Sequence, residues 1–467
     1  MSGERKQESK GDDEYKPIGT KQQKRLRPMA ENTNNGGSSP SSPVTKIPQD
    51  QLFSILLLLP VESILCFSMT CKKLKPLAYS DSLWESICRR DWGQTPVNAL
   101  KRGSDRLRRH PWRELYRRVY GLDSVSCRRL RSGPDGDGIL PTPRASHSLN
   151  LVSGCLVLFG GGCEGGRHLD DTWVVHLSEN PALPLRWHKI DSGSPGGRFG
   201  HSCVSVRGSL ILFGGINDFG TRHNDTWIGR LVGPAAHFSW EPLDSGPISP
   251  PPRGAHAACC IDDRYVLVHG GIGPSGTRLG DTWILDPDSK TWRQIMASPS
   301  PPSRSGHSLT HVGKAGTVLF GGRGTGLEVL GDVWLLNSRW EWRQLAFEPR
   351  SVPRGLSLPR VGHSASLIVG QRLLIYGGED SYRNRKDDFW VLDVGSSCGV
   401  GPASGRLWKR VESRGERPDC RSFHGACVDE TGRFLYVYGG MVDGLVRPAD
   451  PSGLRFDGES FLVELVL

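Results

Sequence analysis

The stretch that decides the fold is Leu158-Phe159-Gly160-Gly161, an apolar run that ends in two glycines and is followed by Asp171-Thr172-Trp173. The glycine pair closes an apolar run at six places, namely Gly160-Gly161, Gly214-Gly215, Gly270-Gly271, Gly321-Gly322, Gly377-Gly378 and Gly439-Gly440. Consecutive pairs are 51 to 62 residues apart, by subtraction of their residue numbers. Internal similarity at such a period is typical of propellers and related arrays, so the sequence predicts a repeat protein.

Three further elements return with the same period. An Arg-x-x-His precedes each apolar run, at Arg144/His147, Arg198/His201, Arg253/His256, Arg304/His307, Arg360/His363 and Arg421/His424. A triplet follows each run, at Asp171-Thr172-Trp173, Asp225-Thr226-Trp227, Asp281-Thr282-Trp283, Asp332-Val333-Trp334 and Asp388-Phe389-Trp390, with Glu459-Ser460-Phe461 interpreted as a degenerate sixth copy. A Trp-x-x-aliphatic closes five repeats, at Trp187, Trp240, Trp292, Trp342 and Trp408. Four strand-like segments per repeat predict six blades of a β-propeller.

Composition agrees with this fold class and narrows the function. The 59 Gly and 33 Pro of 467 residues favour short strands and tight turns over long helices. The net charge of +10 concentrates its excess in residues 101–118, and the chain beyond residue 125 is close to neutral, so no nucleic-acid partner is expected. The longest apolar stretch, residues 52–61, is shorter than the roughly 18 residues that span a bilayer, so neither a membrane segment nor secretion is expected.

The twelve cysteines show no Cys-x-x-Cys pair and no metal-type Cys/His spacing. Reduced thiols are typical of the intracellular environment, so we expect a nuclear or cytoplasmic protein. Residues 1–44 are polar and predict a disordered tail. Within this tail, the basic residues at positions 21, 24, 25 and 27 suggest a nuclear import signal or, as the favoured alternative, solubilising charge.

Residues 45–92 predict a small helical domain. Leu52, Ile55, Leu56 and Leu59 recur at the spacing of one helical face, and Pro60 ends that helix. Further on, Ser82 and Glu85 have the spacing of a capping box that would open a helix carrying Leu83, Trp84 and Ile87. Residues 93–124 predict a basic helical linker. Its basic cluster is interpreted as a contact with an acidic partner or, as the favoured alternative, a solvated helix face.

This helical segment resembles an F-box. The matching pattern is Ile47-Pro48-x-Asp50-x-Leu52-x-x-Ile55-Leu56-x-x-Leu59-Pro60, then Ser63-Ile64-Leu65, Cys71-Lys72-x-Leu74 and Leu83-Trp84-x-x-Ile87-Cys88. The resemblance implies binding to a Skp-type adaptor, and through it to the cullin and RING subunits of an SCF ubiquitin ligase. The residues to which it assigns the adaptor contact are Ile47, Pro48, Leu52, Ile55, Leu56, Leu59, Pro60, Ile64, Leu65, Leu83 and Trp84.

The glycine pairs and spaced tryptophans of residues 125–467 resemble kelch repeats. The predicted fold is therefore an all-β six-bladed kelch β-propeller, preceded by a small all-α F-box domain and a disordered N-terminal tail. The sixth repeat lacks its closing Trp-x-x-aliphatic, whereas residues 127–130 fit that register with Cys127 in the place of tryptophan. We therefore expect residues 125–130 to supply the outer strand of the last blade.

The sequence assigns no catalytic residue, cofactor or metal ligand. Two strings that match a dinucleotide-binding pattern, beginning at Gly160 and Gly271, lead into strands rather than helices, so they are interpreted as coincidental. The repeated histidines are expected to form hydrogen bonds between strands, since a ring of blades would hold them too far apart to share a metal. Some F-box/kelch families carry an N-terminal flavin photoreceptor domain, for which residues 1–44 are too short.

Together these features predict a non-catalytic, substrate-recognition subunit of an SCF ubiquitin ligase, whose propeller binds an unknown target protein. One arginine in each loop after the glycine pair is a candidate for reading an acidic or phosphorylated segment: Arg167, Arg222, Arg278, Arg323, Arg383 and Arg447. Ordinary solvent exposure of loop arginines is the favoured alternative. Two other functions stay open, a non-degradative scaffold and a kelch-type enzyme or enzyme modifier that acts on a small molecule.

Overall fold

The computed structural model describes residues 46–70, 72, 74–102, 110–131, 140–178, 180, 183–191, 193, 195–232, 237–346, 358–395, 407–444 and 454–467. The predicted tail, its basic residues and Arg447 lie outside this part of the chain. Within it, residues Pro48–Leu467 form one compact unit. That unit contains a small helical module followed by a propeller, which confirms the predicted fold class.

In the described part of the chain, the helical module contains six helices: α1 Gln49–Leu58, α2 Val61–Thr70, α3 Lys75–Ala78, α4 Asp81–Trp92, α5 Gln94–Arg102 and α6 Trp112–Tyr120. Its core includes Leu56, Ile64, Leu83 and Ile87, each fully shielded from solvent. The ring of Tyr116 stacks on Trp92, with centroids 5.7 Å apart. Helix α6 thus packs on α4 and forms part of the module.

The N-cap of helix α4 lies two residues before Ser82, where the predicted capping box placed it. Ser80 is the N-cap, and its hydroxyl accepts a hydrogen bond from the Leu83 amide at 3.4 Å. Glu85 instead forms ion pairs with Arg89 at 2.9 Å and Lys101 at 2.7 Å. The capping-box prediction was therefore wrong, since Glu85 stabilises the module by linking α4 to α5.

The propeller consists of six blades. Blade 1 contains β2 Ser148–Val152, β3 Cys155–Phe159, β4 Thr172–His176 and β5 His188–Ile190. Blade 2 contains β6 Ser202–Val206, β7 Ser209–Phe213, β8 Thr226–Val232 and β9 His237–Pro242. Blade 3 contains β10 Ala257–Ile261, β11 Tyr265–Ile272, β12 Arg278–Asp286 and β13 Thr291–Ile295. Blade 4 contains β15 Ser308–His311, β16 Thr317–Phe320, β18 Val333–Leu336 and β19 Trp342–Leu345, with the short pair β14 Arg304–Ser305 and β17 Arg323–Gly324. Each of these blades is antiparallel, as the repeat predicted.

Blade 5 contains β20 Ser364–Ile368, β21 Arg372–Tyr376, β22 Phe389–Leu392 and β23 Trp408–Gly415. Blade 6 contains β24 Arg421–Ser422, β25 Gly425–Val428, β26 Phe434–Asp443, β27 Leu454–Leu465 and β1 Ser124–Leu130. The innermost strands β2, β6, β10, β15, β20 and β25 contact one another in a closed circle. Between blades, aromatic rings fill the core, as where Phe159 lies 5.3 Å from Trp240 of the next blade.

The strand β1 joins two blades. It pairs antiparallel with β27, where Val125 faces Leu465 and Leu130 faces Ser460. It also pairs in parallel with β23, where Ser124 faces Glu412. The outer strand of blade 6 thus comes from the start of the propeller and continues the sheet of blade 5.

Candidate functional site

A buried unit of arginine, aspartate and tryptophan repeats in blades 1 to 5. In blade 1, the fully buried Arg144 donates to the two carboxylate oxygens of Asp171 at 2.5 and 2.9 Å, and Trp173 Nε1 donates to the same carboxylate at 2.7 Å. Burial would raise the pKa of Asp171, but the hydrogen bonds and charge of Arg144 outweigh it and lower that pKa. Arg144 also donates to the carbonyl oxygen of Gly160 at 3.0 Å.

In the other five blades the arginine also pairs with an aspartate and donates to the carbonyl oxygen of the first turn glycine, although blade 6 has no tryptophan on that aspartate. The ion pairs are Arg198–Asp225, Arg253–Asp281, Arg304–Asp332, Arg360–Asp388 and Arg421–Asp457. In blade 6 the acceptor is Asp457. It lies two residues before Glu459, which the comparison of the repeats had matched to the aspartates of the other blades. Glu459 instead pairs with Arg129 of β1 at 3.0 Å. These buried arginines are therefore structural, and the degenerate copy has moved its acid by two residues.

The repeated histidines connect neighbouring blades. Nε2 of a histidine lies within hydrogen-bonding distance of a serine hydroxyl of the preceding blade in four cases, His201 with Ser148, His256 with Ser202, His363 with Ser308 and His424 with Ser364, at 2.8 to 3.1 Å. Burial lowers the pKa of each of these imidazoles, and that of His201 to about 3. The described residues contain no group of three metal-type ligands. The arrangement thus supports a structural role for these histidines.

Two blades depart from this pattern. The partner of His307 is not a serine, because the equivalent residue is Ala257; His269, directly across the strand pair from Ala257, bonds His307 instead at 3.2 Å. The equivalent residue for His147 is Gly425, so among the described residues no side chain of blade 6 bonds the His147 imidazole. Blade 3 has therefore moved the polar group to the opposite strand, whereas the described part of blade 6 offers His147 no polar side chain.

Six backbone hydrogen bonds close a ring around the central channel. The residue before each repeated histidine donates its amide to the carbonyl oxygen of its counterpart in the preceding blade, at 2.7 to 2.9 Å. All six have positive φ, and the set, which we call the amide ring, is Ser146, Gly200, Ala255, Gly306, Gly362 and Phe423. Five of these residues are small. Phe423 is the exception, a feature that the sequence analysis did not recognise.

The helical module packs against one end of the propeller. Gln371, in the turn between β20 and β21, donates to the carbonyl oxygen of Trp92 at 3.2 Å. Arg372, 3% exposed, donates to the carbonyl oxygens of Val119 and Tyr120 at the end of α6. A cavity of about 210 Å³ lies alongside, between the helices and the turns that precede the second and fourth strands. Because strands alternate in direction, the amide ring and the loops after the glycine pairs lie at the opposite end, which we call the far face.

The structure divides the predicted adaptor residues into two groups. Leu52, Leu56, Ile64, Leu83 and Trp84 are buried in the module, so in this conformation they support a surface rather than form it. The others are exposed or half-buried, namely Ile47, Pro48, Ile55, Leu59, Pro60 and Leu65. Two exposed apolar residues were missed, Leu58 (85% exposed) in α1 and Met69 (79%) in α2. Apolar side chains left in water on adjacent helices are typical of a protein interface.

The arginines proposed from the loops do not form one equivalent ring. By strand register, Arg222 and Arg278 occupy matching positions, and Arg385 rather than Arg383 is their counterpart in blade 5. Arg323 forms an ion pair with Glu379 at 3.0 Å, and the buried Arg385 forms one with Asp443 at 2.7 Å. The other described candidates, Arg167 and Arg383, are exposed on loops. The far face also exposes three large apolar residues that the sequence analysis did not select: Phe219 (92%), Leu327 (62%) and Tyr382 (85%).

Comparison with known proteins identifies both parts of the chain. A family model described as F-box-like matches residues 44–90, and one described as KLHDC2/KLHL20/DRC7 Kelch-repeats domain matches residues 116–322 and 317–450. F-box/kelch-repeat protein At1g51550 of Arabidopsis thaliana is 53% identical over 466 residues, covering 94% of this chain and 96% of that protein. Adagio protein 3 of Arabidopsis thaliana is 31% identical over 402 residues, covering 83% of this chain and 60% of that protein.

The solved structure of YjhT superimposes with a TM-score of 0.51 at 16% identity, covering 69% of this chain and 95% of that one, a likeness that concerns the fold alone. No helix in the described ranges is both long and apolar enough to cross a bilayer. With an F-box-like helical module, six kelch-type blades and a relative that matches almost its whole length, the protein belongs to the F-box/kelch-repeat family.

Proposed function

We propose that this protein is a substrate receptor of an SCF-type ubiquitin ligase. The helical module would bind a Skp-type adaptor, and through it a cullin and a RING subunit, while the propeller binds the target. The observation that carries the proposal is the opposite placement of two surfaces, with exposed apolar residues on the module and a far face that the module leaves uncovered. Family membership supports an adaptor-type, non-catalytic role.

In this proposal the chain accelerates ubiquitination by position alone. Holding a target near a charged conjugating enzyme raises the effective concentration of its lysines, and this requires a fixed path between the two binding surfaces. The contacts of Gln371 and Arg372 with the helix ends supply such a path. All ten described cysteines are free thiols, which supports our further proposal that the protein works in the nucleus or cytoplasm.

The adaptor site is tested by Leu58→Glu. Leu58 is 85% exposed, so the substitution removes little packing and places a charge in the proposed interface. We expect co-purification of adaptor and cullin to fall by at least about tenfold, the effect of roughly 1.4 kcal/mol. Met296→Glu is the matched control, since Met296 is 84% exposed on the propeller. Undiminished adaptor binding by the Leu58 variant would contradict the proposal.

The same variant separates a receptor from a scaffold. Proteins labelled by proximity to the propeller are compared between cells that express the native chain and cells that express the Leu58 variant. A receptor predicts that some labelled proteins carry less ubiquitin and live longer with the variant. Unchanged ubiquitination and lifetimes of every labelled protein would favour the scaffold.

A further inference from the structure

The far face has an aromatic residue in a position where the other blades have small ones. Phe423 takes φ of 56°, a left-handed conformation that costs free energy for a bulky residue. At the same place the other blades have Ser146, Gly200, Ala255, Gly306 and Gly362. Strain of this kind persists where the surrounding structure enforces it, and it concentrates at functional sites.

The side chain of Phe423 extends over neighbouring blades. A Cβ built on Gly362 would lie 2.8 to 2.9 Å from three atoms of the phenyl ring, and one built on Gly306 would lie 3.6 Å from it. The ring therefore lies on the glycine backbone of blades 5 and 4, at the opening of the central channel. Phe423 is half-exposed, so part of this apolar ring faces solvent.

Two more apolar residues lie near Phe423 in the sheet of blade 6, since Ser422, the residue before it, pairs with Met441. Met441 faces Phe456 across the strand pair at the register that Ile216 and Arg222 occupy in blade 2. Both Met441 and Phe456 are half-exposed. At this register blade 6 thus has Phe456 where blades 2 and 3 have Arg222 and Arg278.

Two arginines of the far face retain unused hydrogen-bond donors. Nε of Arg278 donates to the Ser305 hydroxyl at 3.2 Å, and in the described part of the chain its two terminal nitrogens have no partner. Nη1 of Arg222 donates to the carbonyl oxygen of Gly220 at 2.7 Å, its Nε is shielded from solvent, and its Nη2 has no partner among the described residues. Ser305 directly precedes Gly306 of the amide ring, so the guanidinium of Arg278 lies beside the channel opening. In a circle of six, blade 3 lies across from blade 6.

We propose that the channel opening on the far face binds an extended peptide segment of the target that has a bulky apolar side chain and a carboxylate. The apolar side chain would pack on Phe423, Met441 and Phe456. The carboxylate would accept hydrogen bonds from Arg278 and Arg222, since planar guanidinium groups pair well with carboxylates. This rests on the proposed function, because it specifies how the propeller recognises its target.

The test is selection from a random peptide library displayed on phage, with the full chain as bait. We expect selected peptides to combine an aromatic or long aliphatic residue with Asp or Glu. For a selected peptide, Phe423→Gly and Arg278→Gln should each weaken binding by about tenfold, the usual scale for a central interface residue. Arg264→Gln is the matched control, since Arg264 is an exposed arginine in the β10–β11 turn at the opposite end.

A stability measurement separates recognition from folding. Glycine suits the backbone conformation of Phe423, so Phe423→Gly should keep or raise the melting temperature while binding weakens. A lower melting temperature with unchanged peptide affinity would assign Phe423 a purely structural role and overturn the proposal. It would also be overturned if no peptide were enriched, or if enriched peptides lacked either feature. Continued adaptor binding by the same variants would show that only this inference had failed.

Discussion

Replacing His269 with phenylalanine would make the sequence of blade 3 more similar to that of the other blades. We nevertheless expect this substitution to destabilise the protein. Most blades have an aromatic residue here: Phe159, Phe213, Phe320, Tyr376 and Tyr438. In those blades the opposite residue is a serine or, in blade 6, a glycine. Blade 3 pairs His269 with Ala257, so the imidazole of His269 is the hydrogen-bond partner of His307 among the described residues.

The expected cost follows from the burial of His307. This residue is 7% exposed, and water cannot replace the lost partner on its Nε2. Leaving a buried polar group without a partner costs about 1–3 kcal/mol. The phenyl ring itself should fit, since Phe213 and Phe320 occupy equivalent sites in the adjoining blades. We therefore expect the free energy of unfolding to fall by about 1–3 kcal/mol.

Urea denaturation at pH 8 measures this change as a lower midpoint with an unchanged slope. The rescue variant combines His269→Phe with Ala257→Ser, which supplies the hydroxyl that other blades use. We expect the double variant to regain most of the loss, because the two residues face each other and their effects should not be additive. If the single variant were as stable as the native chain, or if Ala257→Ser failed to rescue it, the reasoning about His307 would be refuted.

Three further outcomes test other features. The pKa of the buried histidines is lower in the folded protein than in the unfolded chain, where it is about 6.5, and the folded-state pKa of His201 is about 3. The folded state thus binds fewer protons, so the urea midpoint should fall as the pH drops from 8 to 5. A constant midpoint would contradict this expectation. Asp457→Asn should lower the free energy of unfolding by about 3–5 kcal/mol by leaving Arg421 buried and unpaired, whereas Glu459→Gln should lower it by under about 1 kcal/mol. If thermal melts gave the reverse order, Glu459 would be the partner of Arg421, as the sequence comparison of the repeats predicted. Arg372→Met should weaken the contact between the module and the propeller, which would appear as faster hydrogen exchange at the end of α6 while adaptor binding persists. Unaltered exchange would contradict a role of Arg372 in connecting the two parts.

The sequence predicted the blades because the residues that build them are local and repeat. An apolar run, two glycines and an Asp-x-Trp triplet each encode one strand or turn, so six copies reinforce a single interpretation. The same method failed in blade 6, where Asp457 replaces Glu459 as the partner of Arg421. The acidic partner has moved two residues along β27 while the ion pair is preserved, and the repeat pattern does not show such a shift.

The candidate sites were less predictable because they depend on side-chain environment rather than period. The apolar spacing of α1 selects Leu52 and Leu56, which are buried, together with Ile55, which is exposed, since core and interface residues share one chemistry. In the loops, sequence order alone could not establish that Arg385, not Arg383, matches Arg278. Phe423 could have been recognised from the sequence, because the equivalent residue before the repeated histidine is small in the other five blades.

The pairing of β1 has a consequence for the order of events during synthesis. β1 is made early, whereas its antiparallel partner β27, Leu454–Leu465, is made after all the other described strands, so the circle of blades stays open until β27 has emerged from the ribosome. β23 emerges sooner and offers β1 a parallel edge. Resting there would shield an otherwise unpaired strand from other chains and hold it where the final strand arrives. The same contact that joins two blades in the finished protein would thus act as a waiting position for the nascent chain.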